Sequence, residues 1–183
     1  MPAALFSRIQ LVQDDITHQQ VSAIVNAANS SLLGGQGLDG AIHHAGGPLI
    51  LKECRYLREH HYPNGLQTGQ ATITTGGKMP AKYVIHTVGP IWHGGKQREP
   101  ELLADCYRNC LKIAFDRQLA SVAFPGISTG VYGYPKKEAS AIAVREVQQW
   151  LVAHDFPQKV IFVVFDDENR PLYEQELSMN IWR

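Results

Sequence analysis

Six short apolar runs, residues 8–13, 21–27, 70–75, 83–88, 121–124 and 159–165, are rich in Val, Ile and Phe and alternate little with polar residues. Runs of this length and character form strands buried on both faces. Helical patterns lie between them. Leu103, Cys106, Tyr107, Cys110, Leu111 and Ala114 recur at steps of three and four, which makes one apolar stripe. Ala139, Ile142, Ala143, Val147, Trp150 and Leu151 do the same after Pro135, a residue that starts helices because its missing N–H costs nothing there. Further helices are expected near 41–60 and 170–179. Strands alternating with helices imply a three-layer α/β domain with a largely parallel or mixed sheet. No repeat, low-complexity stretch or linker divides the chain, so one domain is expected across residues 1–183.

Open sheets of this kind bind ligands in the crevice beyond the carboxyl ends of their strands. The suggestive residues fall there. Asp15 follows the first run, Asn26 and Asn29 the second, Ser128-Thr129-Gly130 the fifth, and Phe165-Asp166 ends the sixth. Two glycine-rich loops, Gly34-Gly35-Gln36-Gly37-Leu38-Asp39-Gly40 and Gly126-Ile127-Ser128-Thr129-Gly130-Val131-Tyr132-Gly133, contain no Lys or Arg. Such loops present backbone N–H groups at a helix start and hold phosphate oxygens without a fixed positive charge. Two of them imply a diphosphate gripped from two sides.

Gly35, Gly37 and Gly40 formally match the dinucleotide fingerprint G-x-G-x-x-G. That motif sits directly between a strand and its helix, whereas here a polar segment, 26–33, intervenes. No Lys-Ser or Lys-Thr follows the glycines, so a Walker loop fails. A purely structural turn remains an alternative for the first loop, and the second loop makes it less attractive. The carboxamides of Asn26 and Asn29 both donate and accept, which suits sugar hydroxyls; turn capping is the plainer role. Asp39 precedes a helix expected to begin near Ala41, where a carboxylate caps, and where it can also orient or deprotonate a water. Tyr132 and Phe165 offer flat faces for a sugar or a base, or belong to the core. His86 reads as a hydrogen-bonded core histidine, since no nucleophile or carboxylate is evidently paired with it. His43-His44 and His60-His61 lack metal-ligand geometry, so neither a catalytic metal nor a cofactor is expected.

Lys+Arg and Asp+Glu both number 17, so no global basic field argues for nucleic acid. Cys54, Cys106 and Cys110 form no CxxC pair or zinc spacing and read as small buried hydrophobes. The opening MPAALFSRIQ lacks the apolar core of a signal peptide, and no run approaches a membrane span. A cytoplasmic, reduced protein with no membrane partner is expected.

Taken together, Asp15-Ile16-Thr17, Val25-Asn26-Ala27-Ala28-Asn29, the first glycine loop continued through Ala41-Ile42-His43, Val84-Ile85-His86-Thr87-Val88-Gly89-Pro90, and Ala123 through Pro135 resemble the macrodomain family. The resemblance is nearest to the bacterial O-acetyl-ADP-ribose deacetylase branch of the MacroD-type hydrolases. It implies a three-layer α/β/α fold with ADP-ribose in the crevice. Asp15 would bind the adenine amino group with the Ile16 backbone nearby, and Phe165 would lie against the adenine. Asn26 and Asn29 would face the distal ribose. Gly35, Gly37 and Leu38 would belong to the substrate-binding first loop, while Ser128, Thr129, Gly130, Val131 and Tyr132 would wrap the diphosphate. Tyr132 would also pack on the distal ribose. Asn29 and Asp39 match the pair used by the branch for catalysis; whether the carboxylate or the substrate's own phosphate activates the water stays open.

Gln36 stands where the family has a glycine, and Asp14 where it has the glycine before Asp-Ile-Thr. Both bear on affinity more than chemistry. The implied activity is ester hydrolysis on O-acetyl-ADP-ribose or on mono-ADP-ribosylated acidic side chains of a protein. A non-catalytic ADP-ribose-binding module shares every binding residue, and a nicotinamide-dependent oxidoreductase would require tight NAD binding. A regulatory role, for instance binding an RNA-processing enzyme, leaves no readable trace.

Overall fold

The computed structural model of the protein describes residues 2–179; residues 1 and 180–183 of the expected single unit lie outside the described part. All six apolar runs become strands: β1 (Ile9–Gln13), β2 (Ala23–Ala27), β3 (Ala71–Thr75), β4 (Tyr83–Thr87), β5 (Ser121–Phe124) and β6 (Lys159–Val164). They form one sheet in the order β1-β6-β5-β2-β4-β3. The pairs β1–β6, β6–β5, β5–β2 and β2–β4 are parallel, and β3 joins antiparallel to β4 at one edge. Parallel neighbours need long crossovers. Helices α1 (Pro2–Phe6), α2 (Gly37–Gly46), α3 (Pro48–His60), α4 (Glu99–Asp116), α5 (Lys136–Ala153) and α6 (Asn169–Met179) accompany the strands.

Alternate residues of each inner strand serve opposite faces, which is why the runs show no polar alternation. Ala23, Val25, Val122, Phe124, Val160, Phe162 and Val164 pack against Leu103 and Tyr107 of α4, Val147 of α5 and Tyr173 of α6. Ile24, Val84, Ala123, Ile161 and Val163 pack on the other face with Ile42 of α2 and with Ile50 and Cys54 of α3. Aromatic rings knit the first face, with Tyr107–Phe124 centroids at 5.0 Å and Phe162–Tyr173 at 5.2 Å. Each such side chain removed from water contributes about 1.5–3 kcal/mol. Cys54, Cys106 and Cys110 are free and fully buried, as expected of small buried hydrophobes. The mixed, mostly parallel α/β architecture is therefore present as expected.

Local boundaries differ. The region 41–60 is two helices, broken where Gly47 takes φ 79° and donates its N–H to His43 O, with Pro48 opening α3. α2 starts at Gly37, four residues before the expected Ala41. The five-residue α1 and a single 3-10 turn at Ile16–His18 carry too little pattern to be read from sequence. Among the described residues no helix is long and apolar enough to cross a membrane.

Arg8, just ahead of β1, ties the sheet to the end of α5. Its guanidinium donates to the carbonyls of Leu151 (2.7 Å), His154 (2.9 Å), Pro157 (2.7 Å) and Gln158 (3.2 Å). A cation there complements the negative end of the helix dipole and satisfies carbonyls that lack intrahelical partners. Arg8→Ala is expected to lower unfolding free energy by about 2 kcal/mol in urea titration, the scale of a few charge-assisted hydrogen bonds partly replaced by water. Arg8→Lys should recover only part of it, because an ammonium lacks the planar fork.

Candidate active site

Asn26 and Ile24 lie on the same face of β2, so the Asn26 side chain points beneath α2 and is fully buried. A buried carboxamide needs partners. Its Nδ2 donates to Asp39 Oδ1 at 2.9 Å and lies 3.1 Å from His86 Nδ1. His86, directly opposite on β4 in the parallel register, places Nε2 2.8 Å from Thr74 Oγ1 on β3. Burial pushes the His86 imidazole pKa down to about 3, with the neighbouring His43 adding to the effect. It stays neutral at ordinary pH. As expected, His86 is a hydrogen-bonded core histidine; its link to a carboxylate runs through Asn26.

Asp39 is 5% exposed and occupies the first turn of α2. The expectation that it caps a helix beginning near Ala41 is corrected here. The capping position is Gln36, which makes no side-chain cap, and Asp39 turns inward to Asn26 and to the Asn29 backbone N–H, 3.4 Å from Oδ2. His43 Nε2, one helical turn on, is 3.4 Å from Asp39 Oδ1, within ion-pair reach but without hydrogen-bond alignment.

Asn29 joins the two glycine loops. Its Nδ2 donates to Gly34 O at 3.2 Å, and its Oδ1 accepts from the Tyr132 hydroxyl at 3.3 Å. The carboxamide lies against Gly35 so closely that a Cβ there would overlap Asn29 Nδ2. That approach, rather than turn geometry, demands the glycine. Gln36, by contrast, has φ −98° and ψ 177°, extended backbone open to any residue, and its side chain is exposed. Its presence in a glycine run causes no backbone strain. Gly37 opens α2, and Leu38 packs against the core beneath.

The second loop is held from several sides. Ser128 is buried in the left-handed region at φ 65°, its Oγ has no hydrogen-bond partner, and it sits where a Cβ on Gly89 would collide with it. Thr129 Oγ1 donates to Gly126 O at 2.9 Å, Gly133 N to Gly130 O at 3.0 Å and Tyr134 N to Ser128 O at 2.9 Å. Trp92 N donates to Tyr132 O at 2.9 Å while its ring rests 4.7 Å from that of Tyr134. Glu99, 1% exposed at the start of α4, accepts from the N–H groups of His93, Gly95 and Gln97 and fixes the segment leading out of Trp92. Gly130 and Val131 project into solvent.

Asp15, Ile16 and Phe165 gather at the other end, where β1 and β6 finish side by side. Asp15 accepts from Thr17 Oγ1 (2.7 Å) and Thr17 N (2.9 Å); these bonds, opposed by desolvation, hold its carboxyl below the usual carboxylate range. Ile16 is buried, and Phe165 is 84% exposed. The Asp14 carboxylate is engaged by Asp15 N and Gln19 Nε2, at 2.7 and 3.0 Å. Asn26, Asp39, Asn29 and Tyr132 are thus linked in a chain of contacts with Gly35 against Asn29, and Asp15, Ile16 and Phe165 lie at a separate end of the strand-end crevice. Thr74, Trp92 and Glu99 escaped the sequence reading, and His43 was weighed there only as a metal ligand and as part of the family motif. Only His43 carried a usable signal, its four-residue spacing from Asp39, and the misplaced start of α2 concealed it. Among the described residues no group of three His, Cys, Asp or Glu could hold a metal.

Burial of His86 sets an acid limit. In the unfolded chain it binds a proton below about pH 6.5, while in the fold it does not until about pH 3, so acid favours unfolding. The stability tied to neutral His86 is complete above pH 6.5. Its loss should approach about 1.4 kcal/mol per pH unit as pH falls toward 3, measured by urea denaturation across pH, and His86→Gln should flatten that slope.

The Macro domain family model matches residues 25–143. The chain is 52% identical over 172 residues to an O-acetyl-ADP-ribose deacetylase of Salmonella newport (strain SL254), covering 94% of this chain and 95% of that protein. It is 51% identical over 172 residues to the protein of the same name from Escherichia coli (strain K12), covering 94% and 96%. A mutant Oceanobacillus iheyensis macrodomain with ADPR superposes at TM-score 0.92 and 45% identity, over 96% of this chain and 94% of that one. A Trypanosoma brucei macrodomain in complex with ADP-ribose does so at 0.85 and 41%, over 94% and 70%. The matched residues contain both glycine loops and the Asn26–Asp39–His86 cluster, and the chain belongs to the macro domain family.

Proposed function

We propose that the protein hydrolyses an ester on the distal ribose of ADP-ribose, releasing acetate from O-acetyl-ADP-ribose or freeing acidic side chains of mono-ADP-ribosylated proteins. The observation that carries this is the buried Asp39 carboxylate, held by Asn26 and by the backbone of Asn29 while the Asn29 side chain joins both glycine loops. The relatives named as O-acetyl-ADP-ribose deacetylases support the same chemistry. In this reading the N–H groups of the second loop fix the diphosphate, and Asp15 with Phe165 receives the adenine. Asn29 and Tyr132 position the distal ribose. Asp39 orients a water and takes up its proton as the water adds to the ester carbonyl; the adduct then expels the ribose oxygen, which takes that proton back from Asp39, giving ADP-ribose and acetic acid that ionises to acetate. No metal is needed for such a step, and three buried free thiols suit a reduced, cytoplasmic setting.

Holding water, carbonyl and carboxylate in line supplies much of the acceleration expected of such a site, and a positioned base typically adds 10²-fold or more. Asp39→Ala should therefore cut kcat for acetate release from O-acetyl-ADP-ribose by roughly 10²-fold. Asn29→Ala should cut kcat by about tenfold or more, since it frees both loops and loses the ribose contact. Acetate release is the assay, with calorimetric ADP-ribose binding as the control. Wild-type protein that binds ADP-ribose but releases no acetate would make it a reader. Asp39→Ala as fast as wild type would remove the carboxylate from the chemistry.

A further inference from the structure

A one-way chain of hydrogen bonds runs beneath the site. Asn26 Nδ2 has two protons, and its two neighbours are Asp39 Oδ1 at 2.9 Å and His86 Nδ1 at 3.1 Å. An amide nitrogen only donates, so His86 Nδ1 must be the bare, accepting nitrogen of a neutral ring. The ring proton then sits on Nε2 and goes to Thr74 Oγ1 at 2.8 Å, and Thr74 sends its own proton to Thr75 O at 3.1 Å. All three side chains are buried, Asn26 and His86 completely and Thr74 at 3% exposure, so water cannot substitute for a missing partner. The one group left over is Asn26 Oδ1, buried and without a partner. A reversed carboxamide would set its oxygen against the Asp39 carboxylate, two acceptors face to face.

We propose that His86 is a positioning residue: neutral, with its Nε2–H anchored on Thr74, it accepts from the Asn26 carboxamide through Nδ1 and so holds the amide that restrains Asp39. The inference rests on the hydrolase reading for its catalytic consequence, and on hydrogen-bond direction alone for the tautomer. Thr74 is the handle on the device, because it touches neither Asp39 nor Asn26. Thr74→Val keeps the volume and removes the acceptor; the proton stays on Nε2, because an Nδ1–H would face the Asn26 N–H, but it is then buried without a partner and the ring loses its anchor. Thr74→Ser restores the hydroxyl.

Nitrogen-15 NMR of labelled histidine in the free protein should find His86 protonated on Nε2 in wild type and in both variants, with the Nε2–H proton signal moved upfield in Thr74→Val alone, where its hydrogen bond is lost. Acetate release should show kcat/KM down about tenfold in Thr74→Val and within about threefold of wild type in Thr74→Ser, a tenfold loss being the weight of one lost hydrogen bond. An Nδ1–H tautomer in wild type overturns the proposal. So does a Thr74→Val enzyme equal to Thr74→Ser, whether both are active or both impaired. Should wild type release no acetate, the hydrolase reading fails. The Nε2–H signal and ADP-ribose affinity, about tenfold weaker in Thr74→Val alone, then decide the role of His86, and equal affinities across the series reject it.

Discussion

A carboxylate that is 5% exposed has to be met by donors, and the layout of this protein around the ends of β2 and β4 follows from meeting that need at Asp39. One donor comes from the strand beneath, through Asn26, and one from the backbone where β2 gives way to loop, through Asn29. His43 stands one turn along the same helix. Each element is thereby registered against the others at one buried carboxylate. Asn29 then extends the registration outward to both glycine loops. Support and site share the same atoms, so geometry at the distal end is fixed by folding itself.

Much of this was legible in the residues. The strands were readable because each inner strand buries both faces, which removes polar alternation and leaves runs too short for helices. The sheet's carboxyl edge followed from their order, and with it the gathering of Asp15, Asn26, Asn29, Ser128 and Phe165. What failed was local. α2 opens on Gly37, a residue with poor helix propensity, so its first turn looked like loop and Asp39 looked like a cap. With the helix begun four residues late, the Asp39–His43 pairing disappeared from view. Gly47 likewise hid the division between α2 and α3, since one glycine inside an apolar pattern does not announce a break.

Other features had no local signal at all. Thr74 and His86 are twelve residues apart and meet only because β3 runs antiparallel to β4. Glu99 organises residues 93–97 through three backbone N–H groups, a role that composition cannot separate from an ordinary acidic helix start. The two departures from the family pattern prove conformationally mild. Gln36 sits in extended backbone, and the Asp14 carboxylate is already engaged by neighbouring N–H groups. Neither substitution displaces a residue of the Asn26–Asn29–Asp39 cluster.

Ser128 carries a side chain in a backbone region that usually asks for glycine, a conformation costing on the order of 1–2 kcal/mol that neighbouring structure must offset. The loop it belongs to is therefore set before any ligand arrives, wedged between Gly89 and the turn at Gly126. A diphosphate entering such a loop would not have to freeze it, so association loses little chain entropy and the grip is immediate. The same arrangement opposes thermal robustness to rigidity: a sequence that relaxed this residue would fold at a lower conformational cost and leave the loop less firmly set. Endurance and rigidity are thereby traded against each other in one backbone torsion.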